Sequence, residues 1–412
     1  MDPDPVEMAN EVQCKVILHW NCRGFVEFPE AIRHHGGHVQ EIYLKWNKLK
    51  TLPSWITELF NLTNLYIYGN RIEWLPEELG GMSQLTVLDL SANKLKLIPT
   101  CIGNLINLKS LFLNDNFIER LPIDLSKLNN LEILSVSGNQ IFALPEWIGS
   151  LPRLKELYVD KNHLKELPNR LTTAPELSMI SVCSNRLKYL PLNGFLSAPC
   201  IQFDKNDYLN YLSYPLLFQL ISKMNVPEAH EKICFAVGCF KTHYDTNVLN
   251  TNIKLYIKMK ELYEKDDFII ELPRQLLKIH EVHENVTCSL WELALRKVYT
   301  ERYKHTLDIS IPSKDDDIPN VTILYKSLLK NTKQDFMSST SYTSYNLLTN
   351  GPTSICVNSQ CQQPIFTEAW IIIGISYNAL SVIMIALCCS RSCATAFAAH
   401  SDTISLHWHS ID

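Results

Sequence analysis

Five cysteines near the C-terminal end carry the most pronounced chemical pattern in the chain: Cys356 and Cys361 in "CVNSQC", then Cys388, Cys389 and Cys393 in "CCSRSC". Two turns that each offer a pair of soft thiolates make the donor set of a tetrahedral metal centre, which for thiolates means a structural zinc. The candidate ligands are Cys356, Cys361, Cys389 and Cys393, with Cys388 as the alternative to Cys389. The spacings are looser than the familiar C-x2-C. Two other clusters point to chemistry less strongly. His34, His35 and His38 in "IRHHGGH" read as a solvated loop, and Cys234 and Cys239 in "CFAVGC" read as buried thiols. There is no G-x-S-x-G, no phosphate-binding glycine loop and no H-E-x-x-H, so the chain is expected to bind rather than catalyse.

Something must bring the two cysteine pairs together, and the intervening stretch allows two answers. Residues Trp370 to Leu387 carry no charge. Such a run sits at the lower edge of what a membrane-spanning helix needs, so a tail anchor over 370–387 is one reading. The other is a hairpin, with "WIIIGI" and "SVIMIA" as β-rich arms and Ser376-Tyr377-Asn378-Ala379 as the turn. A metal would then stabilise a unit too small for a core of its own.

The first half of the chain has a period. Asn47, Asn70, Asn93, Asn116, Asn139, Asn162 and Asn185 recur every 23 residues, each followed six positions later by proline, from Pro53 to Pro191. A complete unit, "LTNLYIYGNRIEWLPEELGGM", has the pattern of a leucine-rich repeat. Asn21 with Pro29 marks a degenerate first unit and Asn206 a degenerate last one. The expected fold is α/β, a leucine-rich repeat solenoid with a parallel sheet on its concave face, followed by a small C-terminal α+β module with a zinc-binding hairpin. Leu65, Ile67, Ile72 and Leu75 should point inward and stack on neighbouring repeats, because one repeat cannot bury its apolar face alone. The remaining strand positions should face solvent: Tyr43, Tyr66, Asp89, Phe112, Ser135, Tyr158 and Ser181, then Lys45, Tyr68, Ser91, Asn114, Ser137, Asp160 and Cys183, with Trp46 beside them. Aromatic side chains on a rigid exposed sheet are typical anchors for a protein partner. The expected partner-binding set is Tyr43, Trp46, Tyr66, Tyr68, Phe112 and Tyr158. With 43 acidic against 38 basic residues and no long basic run, nucleic acid is not an expected partner. The acidic N-terminus lacks an apolar leader, which predicts a cytoplasmic or nuclear protein; the anchor reading would place it on a membrane.

Beyond Asp207 the register is lost. "YLNYLSYPLLFQLISKM" reads as a cap, "IKLYIKMKELYEK" as a helix and "DFIIELPRQLLKI" as a strand and turn. "CSLWELALRKVYTERY" has helical apolar spacing, with Ser289 as N-cap and Glu292 as its capping-box partner. Ser289, Leu290, Ala294 and Val298 also fit the pattern of an Elongin-C-binding box. A proline-containing segment with Ile318 and Pro319 follows, where a cullin box would lie; Thr322 stands where an aliphatic is wanted, a departure from that pattern. The order of repeats, box, proline segment and paired cysteines resembles the leucine-rich repeat-containing protein 28 family, related to the leucine-rich repeat substrate receptors of cullin–Elongin ubiquitin ligases. The matching stretches are the repeats, "IIELPRQLLKI", "CSLWELALRKVY", "CVNSQCQQPIFTE" and "ALCCSRSCATAF". The resemblance implies Elongin C and a cullin as partners beside a protein target, and it favours the zinc hairpin over the anchor. The competing expectation is a membrane-attached leucine-rich scaffold without a ligase role. The resulting division is a tail (1–15), solenoid (16–207), cap and connector (208–285), box segment (286–331), linker (332–355), cysteine-rich hairpin (356–397) and tail (398–412).

Overall fold

The computed structural model describes residues 5–223, 233–236, 240–243, 253–257, 268–280, 286–307, 347–348, 350–358, 360–376 and 383–400. The chain forms two compact units, Met1–Leu187 with Phe195–Asp207, and Lys188–Gly194 with Tyr208–Asp412.

The first unit is a leucine-rich repeat solenoid. Its nine strands are β1 (Ile17–His19), β2 (Glu41–Tyr43), β3 (Asn64–Tyr66), β4 (Val87–Asp89), β5 (Ser110–Phe112), β6 (Ile133–Ser135), β7 (Glu156–Tyr158), β8 (Met179–Ser181) and β9 (Cys200–Gln202). They pair in sequence order as one parallel sheet. Leu65, Ile67, Ile72 and Leu75 are buried, as the repeat pattern predicts. From Pro53 to Pro168 each repeat proline directly precedes a 3-10 turn, the first being Ser54–Glu58. Proline's fixed φ and missing donor suit this position. Helices α1 (Pro5–Cys14) and α2 (Glu30–His35) complete the N-terminal end.

The repeat asparagines form a hydrogen-bond ladder. Asn116 Nδ2 donates to the carbonyls of Leu90 and Leu113, each at 3.1 Å, while its Oδ1 accepts the Leu95 amide at 3.0 Å. Each amide thus satisfies backbone groups of its own turn and of the preceding repeat. Asn206 does the same with Val182, Phe203 and Leu187, so the last unit keeps the full motif. The first does not follow the expected register. His19 pairs with Tyr43, which puts Arg23 at the asparagine position and Asn21 level with Lys45, whose amide it accepts at 2.8 Å.

The second unit is built on a mixed sheet of β10 (Tyr211–Ser213), β19 (Ile383–Cys388), β18 (Glu368–Ser376) and β11 (Ile233–Ala236), with β15 (Lys278–His280) also on β18. The stretch expected as a solenoid cap supplies β10 and α3 (Tyr214–Lys223) of this unit. A second sheet joins β12 (Phe240–His243), β13 (Lys254–Ile257) and β14 (Phe268–Glu271). The helix expected from "IKLYI" is therefore wrong: its alternating Ile253 and Leu255 are buried, and the backbone pairs with β14. Residues 370–387 do not form a spanning helix. Their described parts are two antiparallel strands, β18 and β19, with Trp370 opposite Cys388 and Ile375 opposite Ile383. Among the described residues no helix is long and apolar enough to cross a membrane. The apolarity has a local cause, since both strands are interior to the sheet and Ile371, Ile372, Ile385 and Leu387 are all buried.

Candidate functional site

The predicted cysteine ligands converge. A small hairpin of β16 (Ser354–Ile355) and β17 (Pro364–Ile365) carries Cys356 and Cys361 in its loop. The Cys356 amide donates to the Gln363 carbonyl at 2.9 Å, and the Cys361 amide to that of Asn358 at 2.9 Å. Val357 N donates to Leu387 O at 3.0 Å, which ties this loop to the end of β19. There Cys389 follows the strand and Cys393 lies in the first turn of α5 (Arg391–His400), its amide bound by Ser390 Oγ at 3.2 Å. The sulfurs of Cys356, Cys361, Cys389 and Cys393 all lie within 4.8 Å of one another. Cys361 and Cys389 are 3.4 Å apart, and Cys389 and Cys393 3.7 Å. Tetrahedral thiolates at zinc–sulfur distances stand about 3.8 Å apart, so the donor set fits such an ion. Cys388, the last residue of β19, is not among these four converging sulfurs. Hydrogen bonds from the Cys388 and Cys389 thiols pull the Cys356 thiol down to about 2, and the same bonds push their donors upward. The histidines behave differently: His34 and His35 lie on α2 with ring centroids 6.4 Å apart, and they join no metal-binding group among the described residues.

A buried polar network anchors the predicted box helix, α4 (Leu290–Leu307), beside this centre. Glu292 is fully buried. Its carboxylate accepts the Phe366 amide at 3.0 Å, the Thr367 amide at 2.7 Å, Thr367 Oγ1 at 2.8 Å and Arg296 Nε at 2.8 Å. Arg296 spends its other donors on the carbonyls of Cys389 and Glu368. The capping box forms only by half. Ser289 Oγ accepts the Glu292 amide at 3.2 Å, but the Ser289 amide goes to Glu368 instead, at 3.1 Å. Glu292 cannot reach back because the 366–367 corner occupies both its oxygens. Burial raises the Glu368 carboxyl, yet the Ser289 hydroxyl and amide and His280 outweigh it and hold it below the usual range.

Of the four predicted box residues, Leu290 and Ala294 are exposed, Ser289 is half-buried, and Val298 packs beside Leu295, Tyr299, Leu348 and Phe366. Ile318 and Pro319 lie outside the described residues, as do residues 377–382, where most of the expected turn falls.

On the solenoid, Tyr43, Tyr66, Tyr68, Phe112 and Tyr158 stand half-exposed on the concave face and Trp46 is exposed. The rings of His19, Tyr43 and Tyr66 stack in a row, 4.7 and 4.5 Å between centroids. Lys45 Nζ lies 4.9 Å from the Tyr66 ring centroid, and Trp46 meets Tyr68 edge-on at 4.9 Å. The Tyr43 hydroxyl donates to Glu41 at 2.8 Å, which raises its pKa. Three positions expected to face solvent do not. Ser91, Ser135 and Ser181 are buried, because short hydroxyls bond across repeats, Ser135 to Asn114 and Ser181 to Asp160, each at 2.6 Å. His19 was missed in the sequence, since the register error at Asn21 concealed that it aligns with Tyr43.

The fold is a leucine-rich repeat solenoid accompanied by a C-terminal unit with four converging cysteines. Residues 85–191 match the family model described as a leucine-rich repeat region. The curated relative "TMV resistance protein N" of Nicotiana glutinosa is 34% identical over 88 residues, 21% of this chain and 8% of its own length. Among solved structures, a leucine-rich repeat protein of Leptospira interrogans is 29% identical with a TM-score of 0.44, covering 48% of this chain and 49% of that one. Internalin C2 of Listeria monocytogenes is 21% identical with a TM-score of 0.43, covering 49% and 93%. This chain thus spans a small part of the tobacco relative and about half of the Leptospira protein.

Proposed function

We propose that this chain is a protein-recognition subunit whose solenoid grips a target on its concave face. The observation that carries this reading is the aromatic row of His19, Tyr43 and Tyr66, with Tyr68, Phe112 and Tyr158 beyond it, on a sheet whose register is locked by the asparagine ladder. Large rings that are already ordered lose little entropy on binding and supply most of the contact energy. The test is Tyr66→Ala with Phe112→Ala, followed by proximity capture of targets from cells. Retained circular dichroism with lost capture supports the reading; retained capture contradicts it.

The finer reading is the substrate-recognition subunit of a cullin–Elongin ubiquitin ligase, acting in the cytoplasm or nucleus as a receptor and not as an enzyme. Its support is the orientation of α4. Glu292, Leu295, Arg296 and Tyr299 face the C-terminal unit, whereas Leu290 is 86% exposed and Ala294 is exposed one turn on. A leucine left in water beside a small residue is a poor core position and a good docking position. Zinc at Cys356, Cys361, Cys389 and Cys393 would join the β16–β17 loop to α5 and so stabilise the unit that presents this helix.

A further inference from the structure

Each solenoid turn places the residue before the repeat asparagine at positive φ. At most turns that residue is glycine, small or polar: Gly69, Ala92, Asp115, Gly138, Lys161, Ser184 and Lys205. Trp46 is the exception, at φ 56° and 59% exposed. A bulky L residue is held there against its backbone preference. The next turn accommodates the ring, since a Cβ on Gly69 would stand 2.6 Å from Trp46 Cε3. Strain retained on a surface, for a ring that fills no core, points to use.

The charge around Trp46 says what it meets. Two residues on, Lys48 begins a row continued by Arg71 and Lys94 in the following repeats, all exposed. The row is held in register by Arg71 N to Leu49 O at 2.8 Å and Lys94 N to Ile72 O at 2.9 Å, and neighbouring strands set its pitch at about 5 Å. Glu73 approaches Lys94 at 3.8 Å, and among the described residues no carboxylate pairs with Lys48 or Arg71. Beyond Lys94 the same row continues with Phe117, Gln140 and His163 before Arg186, so three consecutive cations occur in it only at the N-terminal repeats. Asp160 accepts from Ser181 Oγ and the Cys183 amide, each at 2.6 Å, and Glu156 from the Tyr158 hydroxyl at 2.9 Å. Lys48 and Arg71, without a carboxylate partner among the described residues, and Lys94, shared with Glu73, lie in a chain whose net charge is −5.

We infer that the N-terminal end of the concave face is where the partner docks, and that the partner presents an extended acidic segment with an apolar residue, the latter seated against Trp46 and Tyr68 and its carboxylates facing Lys48, Arg71 and Lys94. The inference rests on the concave-face reading and narrows it to one end and one chemistry. A curved row of cations beside edge-on rings suits a peptide strand better than a flat anionic bilayer.

The test is fluorescence anisotropy on the full chain with two labelled peptides of equal aliphatic content, one rich in glutamate and one in lysine, and with phosphatidylserine vesicles as a third arm. The expected result is binding of the acidic peptide alone, weakened by salt and by roughly tenfold in Lys48→Glu with Arg71→Glu. Trp46→Asn should also weaken it roughly tenfold while raising the thermal midpoint, because asparagine accepts positive φ. Lys127→Ala, in the 3-10 turn Ile123–Lys127 and away from the concave strands, should leave it unchanged. No binding of the acidic peptide, equal binding of both peptides, or binding to vesicles alone overturns the inference. Loss in Tyr158→Ala with none in Trp46→Asn overturns this placement but keeps the concave-face reading; peptide binding insensitive to every concave variant removes both.

Discussion

Arg296 Nη1 donates to the carbonyl oxygen of Cys389 at 2.9 Å, across 93 residues of sequence. The same guanidinium holds Glu292 through Nε at 2.8 Å. One side chain of α4 therefore reaches both a predicted metal ligand's backbone and the carboxylate that fixes the 366–367 corner. Removing it leaves Glu292 as a buried charge with only amide and hydroxyl partners. Arg296→Met is expected to destabilise the C-terminal unit by about 3–5 kcal/mol and to leave the solenoid folded. Urea unfolding followed by Trp370 fluorescence, with limited proteolysis of the repeats as the control, reads this out.

The solenoid has its own weak link to test. Asn116 lies in the middle of the ladder with three backbone partners donated to and one accepted. Asn116→Ala is expected to cost about 1–3 kcal/mol and to lower the solenoid's denaturation midpoint. An unchanged midpoint would mean the ladder contributes nothing beyond the leucine stack.

The cysteine centre discriminates between neighbours. Elemental analysis of purified protein is expected to find one zinc per chain, lost in Cys356→Ser with Cys361→Ser and in Cys389→Ser. Cys388→Ser should keep it, because Cys388 stands outside the four converging sulfurs. Zinc retained in Cys389→Ser and lost in Cys388→Ser would reverse the assignment.

Glu368 sets an acid limb to stability. Its carboxyl is depressed in the folded state, against the effect of burial, by Ser289 and His280. A group with a lowered folded pKa contributes fully above the ordinary carboxylate range of about 4 and loses that contribution as pH falls through the folded value. Glu368→Gln is expected to be less stable than wild type at neutral pH and to lose stability less steeply on acidification. Parallel unfolding midpoints across that range would show the carboxylate is unused.

The solenoid was legible in the sequence because every repeat states the same local rule: an inward leucine, an asparagine that must bond its turn, a proline that opens the next segment. One error at Asn21 followed from reading the letter without the strand register, which only pairing of His19 with Tyr43 reveals. The buried serines were missed because depth in a parallel sheet depends on the neighbouring repeat's side chain, as Asn114 covers Ser135. In the C-terminal unit the cysteines could be read from type and spacing, whereas residue type left the apolar arms open between hairpin and anchor and only the family resemblance favoured the hairpin. The network of Glu292, Arg296 and Glu368 could not be read, since apart from the Glu292–Arg296 pair on one helix its bonds to the 366–368 corner and Cys389 join residues 72 to 93 positions apart, which no local pattern encodes.

The central claim is that α4 presents Leu290 and Ala294 to Elongin C while the solenoid holds a target. The most direct measurement is biolayer interferometry of the full chain against purified Elongin B–Elongin C complex. Wild type is predicted to bind. Leu290→Ala with Ala294→Asp is predicted to abolish binding, because the variant removes the leucine that would fill a pocket and places an unpaired charge in a close helix contact. Both substitutions are at exposed positions, so folding and target capture should persist. Wild-type protein that captures its target yet shows no Elongin C binding would contradict the ligase reading.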